Sequence, residues 1–273
     1  MREDVKNFLN HWPVIKETFQ GKDILLFLDY DGTLTPIVER PELAVLPEKI
    51  KKVFEKMISD ERFKIFVVSG RALANVKKLV DIDDIVYLGN HGFEIEIEGA
   101  EIDFGNFSIV RFREILEYLK CEINKELIIF KDVFVEDKSL GLSVHYRLLN
   151  SKDESVLKIF LETITKEFIS KNEIRIVAGK KVFEIRPPIA WNKGTAVQWV
   201  LRKYEAALKD QKAVVIYIGD DQTDEDAFQA LNKIAITIHV GNSQSTAAEY
   251  YLESPQEVAE FLEYLVDLKG EKG

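Results

Sequence analysis

The chain has 273 residues, 46% of them hydrophobic and 31% charged, with 37 Lys and Arg against 47 Asp and Glu for a formal net charge of −10. That composition excludes a largely disordered chain and argues against binding to nucleic acid or to an anionic membrane. No apolar run approaches the roughly 20 residues of a membrane helix, and the single cysteine, Cys121, excludes an internal disulfide or a multi-cysteine metal site.

Met1-Arg2-Glu3-Asp4 leads into no apolar signal core, so the expected compartment is the reducing cytoplasm. Val5, Phe8, Leu9 and Trp12 follow at helical spacing and predict an amphipathic helix packed on the core. Three continuous apolar runs, Ile24–Leu28, Ile65–Val68 and Val214–Ile218, read as parallel strands buried on both faces. Helical patterns lie at 47–59 (Pro47 in the first turn), 72–80, 193–208 and 223–232. Strand and helix in alternation predict an α/β fold with a doubly wound, mostly parallel sheet.

The middle of the chain has another rhythm. Phe93–Glu98 alternates apolar and acidic residues before Gly99, which predicts a hairpin with one wet face. A helix near 108–121 and strands at 128–136 and 140–147 follow. Ser151-Lys152-Asp153-Glu154 reads as a capping box, opening a helix with Val156, Phe160, Ile164 and Phe168 on one stripe. Strands at 174–178 and 182–186 complete an α+β module. The expected organisation is a core of residues 1–103 and 187–273, interrupted by a cap of residues 104–186 with hinges at 103–106 and 187–190. The cap carries 15 basic and 13 acidic residues and the rest of the chain 22 and 34, so the acidic surplus belongs to the core.

The three apolar strands end in polar clusters: Asp29-Tyr30-Asp31-Gly32-Thr33, Ser69-Gly70-Arg71, and Gly219-Asp220-Asp221-Gln222-Thr223-Asp224. Ligands of open α/β sheets sit beyond the carboxyl ends of the strands, so three such clusters converge on one crevice. Asp29 and Asp31 repel each other unless one is protonated or a cation joins them. Hard oxygen donors without cysteine or paired histidine favour Mg²⁺. The alternatives are a polar turn at 29–33 and simple helix-dipole stabilisation by Asp224, Glu225 and Asp226. Lys193 opens a helix behind the N-cap Asn192, an unfavourable place for a cation unless a bound anion or the aspartates compensate it; a solvated surface lysine is the plain alternative. Together these groups suit phosphoryl transfer to an aspartate.

Asp-Tyr-Asp-Gly-Thr (29–33), Ser69, Lys193 and Gly-Asp-Asp-Gln-Thr-Asp (219–224) resemble, in order, the four motifs of the haloacid dehalogenase-like phosphatases. Gly89-Asn90-His91-Gly92-Phe93-Glu94, Phe183-Glu184-Ile185-Arg186-Pro187, Trp191-Asn192-Lys193-Gly194, Glu136-Asp137-Lys138 and His145-Tyr146-Arg147 are similar to strings of trehalose-6-phosphate phosphatases. The resemblance implies hydrolysis of a small-molecule sugar phosphate, trehalose 6-phosphate, with Mg²⁺, in the last step of trehalose biosynthesis. It implies Asp29 as nucleophile, Asp31 as acid and base, and Ser69 and Lys193 as holders of the phosphoryl group. It further implies Asp29, the carbonyl of Asp31, Asp220 and Asp224 around the metal, Arg71, Asn90 and His91 lining the site, and Glu136, Lys138 and Glu184 on the sugar hydroxyls. Glu136 and Lys138 also read as a surface strand pair, and His145 as a satisfied hairpin histidine. Phosphatases for sucrose 6-phosphate or mannosyl-3-phosphoglycerate share the core motifs, and a sugar-phosphate-sensing module without catalysis shares the fold. The expected state is a monomer or small homo-oligomer.

Overall fold

The computed structural model describes residues 5–38, 40–97, 102–105, 107–126, 130, 132–137, 140–179, 181–205, 209–210, 212–241 and 245–268. The chain divides into two compact units, Met1–Glu101 with Trp191–Gly273, and Ile102–Ala190. The first holds β1 (Lys6–Asn7), α1 (Phe8–Ile15), β2 (Asp23–Asp29), α2 (Glu48–Ile58), β3 (Phe63–Val68), α3 (Leu73–Val80), β4 (Val86–Gly89) and β5 (Glu94–Ile95). The second holds α4 (Ile109–Glu126), β6 (Phe134–Asp137), β7 (Leu142–His145), α5 (Ser151–Ser170), β8 (Arg175–Gly179) and β9 (Val182–Arg186). The chain then returns to the first unit with α6 (Lys193–Leu201), β10 (Ala213–Gly219), α7 (Gln222–Ala230), β11 (Ile236–Val240), β12 (Tyr250–Leu252) and α8 (Pro255–Asp267).

The first unit is an α/β fold around an eight-stranded sheet of order β1-β12-β11-β10-β2-β3-β4-β5. Every pairing is parallel except β4 with β5. Strand side chains alternate between two cores, which is why these strands are apolar throughout. Ile24, Leu26, Leu28, Ile65, Val67, Ile216 and Ile218 pack with Phe54 and Met57 of α2 and Phe261 and Leu265 of α8. Leu25, Phe27, Phe66, Val68, Val215 and Tyr217 pack with Val197 and Val200 of α6 and Phe228 of α7. The N-terminal helix docks as its spacing predicts: Phe8 is fully buried, edge-on to Tyr250 and Phe261 at ring-centroid distances of 5.2 and 4.7 Å. Beside it β1 extends the sheet by pairing with β12. No described helix is long and apolar enough to cross a membrane.

The second unit is a four-stranded antiparallel sheet, β6-β7-β9-β8, with two helices. Its apolar interior gathers Leu142, Val144 and Ile185 from the sheet, Phe112, Ile115, Leu116, Leu119 and Ile123 from α4, and Leu157 and Leu161 from α5.

Local details differ from the sequence expectations. The cap of α5 is Asn150, whose side chain accepts from the N–H groups of Lys152 and Asp153, one residue before the expected capping box. The buried line of α5 is Leu157, Leu161 and Thr165; of the expected stripe, Phe160, Ile164 and Phe168 are half-buried at its border and Val156 is exposed. The helix from Lys193 ends at Leu201 and tightens into a 3₁₀ turn, Arg202–Tyr204; residues 206–208 of the expected 193–208 helix lie outside the described residues. Within the expected 93–98 hairpin, Glu94–Ile95 pairs back on β4; residues 98–101, where the hairpin would turn and return, lie outside the described residues. The strand expected over 128–136 is found as β6, Phe134–Asp137, with residues 128, 129 and 131 outside the described residues.

Candidate active site

The carboxyl ends of β2, β3 and β10 meet at one edge of the parallel sheet. Their convergence is visible at Gly32, which has φ +85°: a Cβ there would stand 2.0 Å from Asp220 Oδ2. Only glycine lets the loop after Asp29 turn in the left-handed region and touch the loop after β10. Gly219 plays a similar part, because a Cβ on it would lie 2.2 Å from Asp224 Cγ.

Lys193 stands at the centre. Asn192 accepts from Thr195 N–H and Thr195 Oγ1 accepts from Asn192 N–H, a reciprocal cap that fixes the start of α6. The Lys193 side chain is buried, with Nζ donating to Asp29 Oδ1 at 2.6 Å and Asp224 Oδ1 at 2.8 Å, and Asp221 Oδ1 3.9 Å away. The aspartates therefore compensate the cation at a helix N-terminus, and the surface-lysine alternative fails. Burial by itself lowers the lysine pKa, but the charges of Asp224, Asp29 and Asp221 overcome it and hold the ammonium protonated well above its ordinary range.

The carboxylates are not equivalent. Asp224 is fully buried and each oxygen has two donors: Lys193 and the Tyr217 hydroxyl (2.7 Å) on Oδ1, and the N–H groups of Asp220 and Asp221 (3.1 Å each) on Oδ2. Its four acceptor directions are spent on anchoring the ammonium and the loop, so a direct bond to a metal would displace a partner. Asp221 caps α7, accepting from the N–H and hydroxyl of Thr223. Burial raises its pKa, but Lys193 and the Thr223 and Asp224 bonds prevail and bring it down to about 2. Asp29 is pushed well above the usual carboxylate range by burial and by the charges of Asp224 and Asp220, against the pull of Lys193. Asp220 is pushed up to about 7 by burial and by Asp224 and Asp221.

One ammonium thus serves a surplus of carboxylates. Asp29, Asp220 and Asp224 present oxygens within 4.8 Å of one another, and Asp220 Oδ1 is buried without a hydrogen-bond partner. A cluster of hard oxygen donors, uncompensated charge and an orphaned carboxylate oxygen fits a divalent cation bound between Asp29 and Asp220.

A second group adjoins the first. Arg71 grips Asp31 with two parallel bonds, Nε to Oδ2 at 2.6 Å and Nη2 to Oδ1 at 2.5 Å. Ser69 is buried and its hydroxyl oxygen accepts from Arg71 N–H. Asn90 N–H donates to the Arg71 carbonyl and His91 N–H to that of Ser69, which ties the turn after β4 to the turn after β3. Asn90 and His91 reach this position with φ +50° and +56°. The His91 ring lies against Gly70, and burial followed by the Lys193 charge lowers its pKa to about 4, so the imidazole is neutral near pH 7.

Two residues outside the expected set support these turns. Tyr217, a hydroxyl inside a strand buried on both faces, needs a polar partner, and that need was readable from Val214–Ile218. Glu94 accepts from Asn90 Nδ2 at 2.7 Å and from Leu73 N–H at 2.8 Å, so it caps α3, whose own N-cap Ala72 has no side-chain acceptor. Nothing in the local sequence singles out that long-range cap.

Glu136 and Glu184 belong to the second unit. Their strands bring them into one row of one sheet face through Glu136 opposite Ser143 and Ser143 opposite Glu184. His145 Nε2 is 3.0 Å from Glu136 Oε2, and Glu184 pairs with Arg186. Lys138 lies outside the described residues.

The trehalose-phosphatase family model matches residues 27–256. Trehalose-phosphate phosphatase B of Arabidopsis thaliana is 35% identical over 272 residues, which span 96% of this chain and 71% of that protein. A solved trehalose-6-phosphate phosphatase of Aspergillus fumigatus has the same fold, with a TM-score of 0.71 at 24% identity over 97% of this chain and 100% of that one. A solved trehalose-6-phosphate phosphatase related protein gives a TM-score of 0.62 at 28% identity over 89% and 97%. With four phosphatase motifs gathered at one sheet edge and this likeness over nearly its whole length, the chain belongs to the trehalose-phosphatase family of phosphoric monoester hydrolases.

Proposed function

We propose that the protein hydrolyses trehalose 6-phosphate to trehalose and phosphate through an aspartyl-phosphate on Asp29, with Mg²⁺ as cofactor. The observation that carries this reading is the buried Lys193 bridging Asp29 and Asp224 at the carboxyl edge of the sheet. An Asp29 oxygen attacks phosphorus, and the bond to the sugar O6 breaks. Asp31 gives the departing alkoxide a proton and afterwards takes one from the water that cleaves the acyl phosphate. Arg71 aims Asp31 for both transfers. Lys193 and Ser69 hold the non-bridging oxygens of the phosphoryl group. Asp29, the main-chain carbonyl of Asp31 and Asp220 would hold Mg²⁺, which would supply positive charge to offset the negative charge of the reacting centre. Asp224 acts through the lysine and the loop it anchors.

The second unit reads as the specificity cap. Glu136 and Glu184 offer charged acceptors to the hydroxyls of an uncharged disaccharide, which gives strong directional bonds. A panel of trehalose 6-phosphate, sucrose 6-phosphate, mannosyl-3-phosphoglycerate and glucose 6-phosphate, followed by phosphate release, tests the substrate. The expected result is a kcat/KM for trehalose 6-phosphate at least about a hundredfold above the others, the discrimination that a few buried hydrogen bonds supply. Equal rates across the panel would overturn the assignment.

The metal is tested without turnover. Saturating Mg²⁺ is expected to raise the melting temperature of chelator-treated protein by several degrees, since a ligand at about 100 times its Kd adds about 2.7 kcal/mol. Asp220→Asn is expected to abolish most of that rise. A wild-type melting temperature indifferent to Mg²⁺ would remove the ion from the site.

A further inference from the structure

The face of the second unit's sheet that carries Glu136 and Glu184 also carries an aromatic residue with no assigned task. Phe134 on β6 is 62% exposed, although a large apolar side chain at the start of a strand gains nothing from water. Directly across, His145 on β7 stacks on it at a ring-centroid distance of 5.8 Å and an interplanar angle of 27°. The same His145 contacts Glu136 at 3.0 Å. Strand alternation puts Phe134, Glu136, Ser143, His145 and Glu184 on one face, in two adjacent rows. One row carries two carboxylates, Glu136 and Glu184, on either side of the buried Ser143. The other begins with an exposed ring whose orientation a second ring fixes.

That pairing matches a pyranose, which offers hydroxyls around its rim and an apolar C–H face. We infer that Phe134 is a specificity-determining residue for the sugar: its ring, steadied by His145, stacks on the C–H face of a glucosyl unit while Glu136 and Glu184 take hydroxyls. The inference rests on the reading of trehalose 6-phosphate as substrate. A stacked ring discriminates by shape and polarity, favouring an equatorially substituted pyranose with a continuous C–H face over a sugar with an axial hydroxyl there.

Steady-state kinetics on trehalose 6-phosphate with Phe134→Ala, Phe134→Leu, Phe134→Trp, Glu136→Gln and Glu184→Gln test it. Phe134→Ala and Phe134→Leu are both expected to raise KM about tenfold, equivalent to about 1.4 kcal/mol, with kcat within about twofold, and Phe134→Trp to hold KM near wild type. The leucine variant keeps apolar bulk and removes the ring, so a merely structural role would leave its KM unchanged. A KM restored by leucine, or unmoved by alanine while the two glutamine variants raise it, overturns the stacking role alone. If no variant of the five moves KM, this face does not hold the sugar, and the cap reading falls with the inference. Rates that are equal across the sugar-phosphate panel would instead refute the substrate assignment itself.

Discussion

Asp29→Asn is expected to reduce phosphate release from trehalose 6-phosphate by a factor on the order of 10⁴ or more, the scale on which deleting a nucleophile acts. The fold is expected to survive intact. Asparagine keeps an oxygen at the position that accepts from Lys193 Nζ, and it removes a charge that burial and the neighbouring Asp224 and Asp220 already make costly. The melting temperature of metal-free Asp29→Asn is therefore expected to equal or exceed that of wild type, although the variant is inactive. Loss of function with gain of stability separates a group kept for chemistry from one kept for structure. Phosphate-release assays and thermal unfolding in chelator together check both arms. Turnover within about tenfold of wild type would move the nucleophile elsewhere, and a large fall in melting temperature would make Asp29 a structural partner of Lys193.

The parts of this site readable from the sequence are those where a residue contradicts its local setting. Aspartates at the ends of apolar strands, and a lysine opening a helix, break rules that hold elsewhere in the chain, and each resolves against another: Lys193 against Asp29 and Asp224. The doubly wound sheet was equally legible, because β2, β3 and β10 are apolar along their lengths and face two cores. Short elements were not. β4, β11 and β12 have four, five and three residues, too few for a periodicity, and the two-residue β1 joins the sheet by pairing with the distant β12. Roles set by tertiary contact were hidden as well. The resemblance puts Asp224 near the metal, and its carboxylate does lie in one acidic group with Asp29 and Asp220, but the bonds its oxygens accept from Lys193, Tyr217 and two N–H groups are not legible in the sequence. Glu94 reads as the wet face of a hairpin and instead caps a helix 21 residues away.

Lys193→Met carries the largest expected cost in stability. Methionine fills a similar volume, so the cavity term is small and the effect isolates the charge. Without the ammonium, Asp29 and Asp224 stay buried and lose the donor that stands 2.6 and 2.8 Å from their oxygens, and the thioether arm donates nothing in its place. Breaking a buried ion pair from one side typically costs about 3–5 kcal/mol, and at about 2–4 °C per kcal/mol for domains of this size the melting temperature is expected to fall by about 10 °C. A solvated surface lysine would change stability by less than about 0.5 kcal/mol. Two further measurements fix the cause. Asp224→Asn placed on Lys193→Met removes one of the stranded charges, so the double variant is expected to be more stable than the single lysine variant, a coupling that additive effects do not produce. Mg²⁺ is expected to recover part of the lost melting temperature, because it too neutralises Asp29 and Asp220, while phosphate release stays depressed because the ion cannot take the lysine's place on the transferring oxygens. If the single variant melts within about 2 °C of wild type, the carboxylates are not held together by Lys193, and the electrostatic argument for the site fails at its centre.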